Sequence, residues 1–98
     1  MNGRQFYKFL KQNLHLGDVL YIASTTGREY TFSKWLNNGS LQFTAAQKKS
    51  IPREILISVK NDLNANQEIN TKYLKERYDY APGGCSILVI KKLLRTYQ

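Results

Sequence analysis

The sequence predicts an α+β domain: an N-terminal helix, a three-stranded antiparallel meander, then three helices. Three observations carry this. Apolar residues recur at helical spacing near both ends of the chain, they alternate between residues 19 and 45, and Gly-containing turns cut the alternating stretch. At 98 residues the chain is one domain, 1–98, long enough to bury a core. Apolar content of 42% and aromatic content of 12% are those of a folded protein rather than a basic tail.

Residues 3–14 form the first expected helix. Phe6, Phe9 and Leu10 follow the i, i+3, i+4 spacing of a core-facing stripe, while Arg4, Lys8 and Lys11 fall on the other side, within about 60° of one another at about 100° per residue. Gly17 ends this segment. Three strands are expected over 19–24, 28–36 and 40–45. Val19 to Ala23 is a β-branched and aromatic run, and Tyr30 and Phe32 alternate with polar residues before Asn38-Gly39, a strong hairpin signal. Alternation places Trp35 on the face opposite Tyr30 and Phe32 unless the strand carries a bulge, leaving it exposed beside Lys34. An exposed Trp is a contact candidate for a base or a protein. Tyr21, Tyr30, Phe32, Trp35 and Phe43 together form either a stacking platform or, for most of them, ordinary core.

Residues 47–50 are expected to be a loop, with Ser50 near the cap of a helix over 52–63 whose apolar face is Ile55, Leu56, Val59 and Leu63. Residues 68–70 are a very short strand or an extended entry. Asn70 or Thr71 then caps a helix over 71–78, and Ser86 caps the last, over 86–97. This order resembles the first part of a winged helix, in which a short strand separates the first helix from a helix-turn-helix unit. The C-terminal pair is accordingly helix-turn-helix-like, with Leu74 and Tyr78 inward on its first helix and Ile90 and Leu94 inward on its second. It departs from that pattern in two ways. The connection from Asp79 to Cys85 is seven residues long, and the sequence ends at Gln98, so a wing would have to come from the 19–45 meander.

Charge points to a partner. Residues 1–17 carry Arg4, Lys8 and Lys11 with no acid, and residues 85–98 carry Lys91, Lys92 and Arg95 with no acid, so six of the eight net positive charges lie at the two ends. On the last helix Lys91, Lys92 and Arg95 occupy an arc of about 100° opposite the apolar stripe of Ile87, Ile90, Leu94 and Tyr97. A helix that packs on one side and meets phosphates on the other needs this division. Two bland sources compete: Lys and Arg are favoured near helix C-termini, and AT-rich coding DNA enriches Lys, Asn, Ile and Tyr.

The expected function is that of a small basic nucleic-acid-binding protein, a regulator or accessory factor, with DNA ahead of RNA. Its contacts are Lys91, Lys92, Arg95 and Thr96, with Arg4, Lys8, Lys11 and the Lys48-Lys49-Arg53 segment. The alternative is a protein-interaction module, a small inhibitor or adaptor that docks an acidic partner through Trp35, Lys34 and a strand edge, with a homodimer left open. Catalysis is not expected. Cys85 and His15 are single, the seven carboxylates show no spaced pair, and Gly83-Gly84-Cys85-Ser86 lacks the Lys of a phosphate-binding loop. No cofactor or metal is implied. Charges break every apolar run near the N-terminus, so the expectation is a cytoplasmic protein without a signal peptide or membrane contact.

Overall fold

A computed structural model describes residues 1–97; the final residue of the expected domain, Gln98, lies outside the described residues. The first helix, α1 (Gly3–Asn13), opens on a reciprocal cap. The Asn2 side chain accepts from the Gln5 N–H and the Gln5 side chain accepts from the Asn2 N–H, both at 2.9 Å. Four strands follow, β1 (Val19–Ile22), β2 (Glu29–Trp35), β3 (Leu41–Thr44) and β4 (Lys48–Ile51), then α2 (Arg53–Asn64), α3 (Thr71–Tyr78) and α4 (Gly84–Thr96). The strands pair antiparallel in chain order.

The α+β class holds, with one strand more than the three expected. Lys48, Lys49 and Ser50, in the segment expected to be a loop over 47–50, and Ile51 after them pair with β3 from Thr44↔Lys48 to Leu41↔Ile51. Ile51 anchors the strand in the core while Lys48, Lys49 and Ser50 are exposed. An edge strand needs only one buried side chain to hold its ladder, and lysines along it deter pairing with other chains. Ser50 is therefore strand rather than cap. The residue before α2 is Pro52, whose φ of −60° suits a helix entry and which makes no side-chain cap bond.

A bulge relocates Trp35. Register passes from Phe32↔Phe43 to Lys34↔Gln42, so Ser33 is the extra residue. The inserted residue turns Trp35 back to the face of Phe32, its ring 5.6 Å away, and edge-on to Tyr7 at 5.3 Å. Trp35 is half-buried and not the exposed contact expected from simple alternation; Lys34 stays exposed on the opposite face. The turn beyond it requires Gly39, at φ +87°, whose carbonyl accepts from the Tyr7 hydroxyl at 2.5 Å.

Tyr30, Phe32, Leu41, Phe43 and Ile51 form the covered face of the sheet, so most of the expected aromatic platform is core. Over it lie Phe6 and Leu10 of α1, Leu56 and Val59 of α2, Leu74 of α3, and Val89, Ile90, Leu93 and Leu94 of α4. Helix α4 packs on β1 and β4 rather than chiefly on α3, which distinguishes the C-terminal pair from the expected helix-turn-helix-like unit. Residues 68–70 form no strand, although Ile69 is buried. Asn70 caps α3, accepting from the Tyr73 N–H at 2.8 Å. Ser86 does not cap α4: the helix begins at Gly84, after Gly83, and Ser86 is buried in its first turn, where it meets the Tyr80 hydroxyl.

Helices α1 and α2 approach most closely at Gly3, whose N–H donates to Asn61 Oδ1 at 2.7 Å. A β-carbon on Gly3 would lie 2.0 Å from the Ile57 carbonyl oxygen. Replacing Gly by Ala within a helix ordinarily gains about 0.5–1 kcal/mol, but overpacking of this kind costs about 1–3 kcal/mol. Gly3→Ala is therefore expected to lower the denaturation midpoint. Gly84→Ala, where nothing lies within 4 Å, is expected to leave the midpoint level or raise it. Urea unfolding of both variants checks the pair.

Candidate functional site

The outward face of α4 follows from its inward one. With Val89, Ile90, Leu93 and Leu94 committed to the core, helical geometry leaves Leu88, Lys91, Lys92 and Arg95 facing out, all exposed. Thr96, also exposed, follows Lys92 by four residues and lies about 40° beyond it round the helix, at the border of this stripe. Lys91 and Arg95 line a groove of about 390 Å³ with Tyr21, Leu63, Glu68, Ile69, Leu88 and Leu94. On the other flank, Lys92 and Arg95 line a second groove of about 300 Å³ along β1, with Val19, Leu20, Tyr21 and Ile22. Tyr21 and Arg95 belong to both, so the two grooves meet there. The ring of Tyr21 is set by Tyr30, 5.5 Å away.

The other expected contacts gather elsewhere. Lys11 Nζ lies 5.9 Å from the Tyr7 ring and 5.7 Å from the Trp35 ring, and the Arg53 guanidinium lies 5.2 Å from Tyr7. These two cations rest on aromatic faces. Arg4 and Lys8 are exposed on the same side of α1 as Lys11. Phe9, about 100° round from Lys8, instead meets Tyr97 at the end of α4, at 5.8 Å. Neither α4 groove includes Arg4, Lys8 or Lys11 in its lining. Lys48 and Lys49 lie on the β4 edge, and Lys34 lies on the uncovered face of the sheet. His15 pairs with Asp18 at 3.9 Å, whereas the Cys85 thiol faces the Tyr30 hydroxyl at 3.5 Å, so the two share no pocket.

Charge compensation is sparse. Among the described residues Lys75, bonded to Asp79 at 2.5 Å, is the one of fifteen lysines and arginines held in an ion pair. Glu68 is the single carboxylate lining either α4 groove. Of the groove residues, sequence reasoning missed as contacts Val19, Leu20, Ile22, Leu63, Glu68, Ile69, Leu88 and Leu94. Leu88 alone left a local signal, an apolar residue three before Lys91 on an otherwise basic stripe. Leu94 lies on the stripe expected to face inward, and the others come from distant segments.

Burial pushes the hydroxyls of Tyr7, Tyr78 and Tyr80 above the ordinary tyrosine range. Beside Tyr7 the Arg53 guanidinium pulls back and Glu54 adds to the rise; Tyr78 donates to the Asp62 carboxylate, which raises it further. The folded state thus holds these protons more tightly than the unfolded chain. Their contribution to stability is complete below the unfolded tyrosine pKa, about 10, and is lost as pH rises through the folded values. Phenolate absorbance and loss of tertiary circular dichroism are expected to rise together above that pH. Complete phenolate formation near the unfolded value with the fold intact would contradict this.

No helix among the described residues is long and apolar enough to cross a membrane. Comparison of the chain with protein-family models, with curated proteins and with solved structures gives no match.

Proposed function

We propose that this is a small nucleic-acid-binding protein, a regulator or accessory factor without catalytic activity, that grips phosphates through α4. The observation that carries this is the stripe of Lys91, Lys92 and Arg95, none of them ion-paired among the described residues, flanked by grooves whose lining includes one acid. Each phosphate neutralised by such a side chain releases condensed counterions, so affinity comes largely from charge and weakens with salt. The net charge of +8, far from compensated within the fold, supplies the long-range attraction.

The test is anisotropy titration of labelled oligonucleotides over a salt series. A plot of log K against log salt is expected to fall, with about 0.7–0.9 of slope per phosphate engaged. Reversing Lys91, Lys92 and Arg95 to Glu is expected to abolish binding and leave the circular dichroism spectrum unchanged. Affinity that does not weaken from low to moderate salt would overturn the reading.

One observation favours a second reading, a protein-interaction module. The free edge of the sheet at β1 exposes Val19 (46%) and Ile22 (55%), whereas the β4 edge carries lysines. An acidic strand could add there beside Lys92 and Arg95. A second copy would bring those cations against its own, which disfavours an edge-to-edge homodimer. Loss of a defined protein partner in a Val19→Lys, Ile22→Lys variant that still binds oligonucleotides would support this alternative.

A further inference from the structure

Duplex and single-stranded nucleic acid make different demands on α4. A helix that reads duplex DNA must stand proud enough to enter the major groove, and its N-terminal residues meet the base edges. Here the N-terminal half of α4, Gly84–Ile90, carries no basic side chain, and both flanks are walled, one by β1 and the other by Leu63 and Ile69. Its cations border open, largely apolar channels instead of crowning a ridge.

Those channels suit an unpaired strand. The larger, at about 390 Å³, is within the range of volumes that hold small ligands, about 300–1,000 Å³. Its wall combines one aromatic ring, Tyr21, with aliphatic side chains. Unpaired bases are apolar on both faces and stack on such surfaces, while their backbone follows positive charge. Lys91 and Arg95, one turn apart along α4, are separated by about 6 Å of axial rise, so successive phosphates of an extended strand can each meet one. Lys92 continues the line into the β1 groove, and Glu68 on the far bank repels phosphate, which fixes the backbone to the α4 side.

We propose that the ligand is single-stranded nucleic acid, one base seated in the groove of Tyr21, Leu63, Ile69, Leu88 and Leu94, its flanking phosphates on Lys91 and Arg95. This rests on the nucleic-acid reading above. An acidic peptide offers the same groove carboxylates in place of phosphates, but a short one leaves most of a +8 surface unneutralised, which a polyanion does not.

Three DNA probes of about ten nucleotides test this at one salt concentration: a mixed-sequence single strand, the same strand with central abasic sites, and the same sequence as duplex. The intact single strand is expected to bind at least about tenfold more tightly than either of the others, the loss set by one unstacked base. Leu88→Gln, which leaves the charge of the face unchanged at a position already 36% exposed, is expected to weaken single-strand binding more than it weakens duplex binding. A Tyr21→Leu variant, which keeps an apolar side chain against Tyr30, provides a second check on the same wall. Equal affinity for all three probes overturns the seated base and leaves phosphate binding standing. No binding to any probe, with capture of a glutamate-rich peptide, overturns both.

Discussion

Burial of one sheet face against α4 decides where the cations of the C-terminal helix go. Val89, Ile90, Leu93 and Leu94 leave water against strands whose covered face is Tyr30, Phe32, Leu41, Phe43 and Ile51. Each such side chain is worth about 1.5–3 kcal/mol on burial, whereas an exposed cation gains well under 1 kcal/mol from any one neighbour. The apolar stripe therefore sets the rotation of the helix, and Lys91, Lys92 and Arg95 face outward as a consequence. Closeness of α1 to α2 at Gly3, and the Tyr7 hydroxyl on the Gly39 carbonyl, tie α1 and α2 to the same sheet.

The two basic stripes then acquire different characters. Lys11 and Arg53 lie over Tyr7 and Trp35, where each cation–π contact contributes about 0.5–1 kcal/mol and helps pack α1 against the β2–β3 turn. Among the described residues Lys91, Lys92 and Arg95 have no comparable partner, and their surroundings are grooves. Charge without an internal counterpart, beside apolar surface, is the combination that an amphipathic polyanion complements. The α1 stripe adds to the overall field but does not extend the α4 grooves.

Much of the scaffold was legible in the sequence because local pattern and tertiary packing agree there. The apolar spacing of α1, the Asn38-Gly39 hairpin and α3 over 71–78 are cases of this. The misreadings have specific causes. β4 was hidden because an edge strand can be almost wholly polar when Ile51 alone anchors it. Trp35 was turned inward by one bulged residue, Ser33, which period-two counting cannot register. Ser86 has the residue type of a cap, yet α4 opens on Gly83 and Gly84 and uses that side chain against Tyr80. The cations of the site were readable from charge alone, but its walls were not. Tyr21, Leu63 and Ile69 belong to segments that only the packed sheet and helices bring beside Leu88.

Chemical-shift mapping with an isotopically labelled protein and an unlabelled single-stranded oligonucleotide tests the central claim most directly. The account predicts that perturbations concentrate on Leu88, Lys91, Lys92 and Arg95 and extend to Tyr21 and Ile69, with α1 and β4 little affected. Perturbations centred on Arg4, Lys8, Lys11 and Arg53, with the α4 face silent, would contradict it.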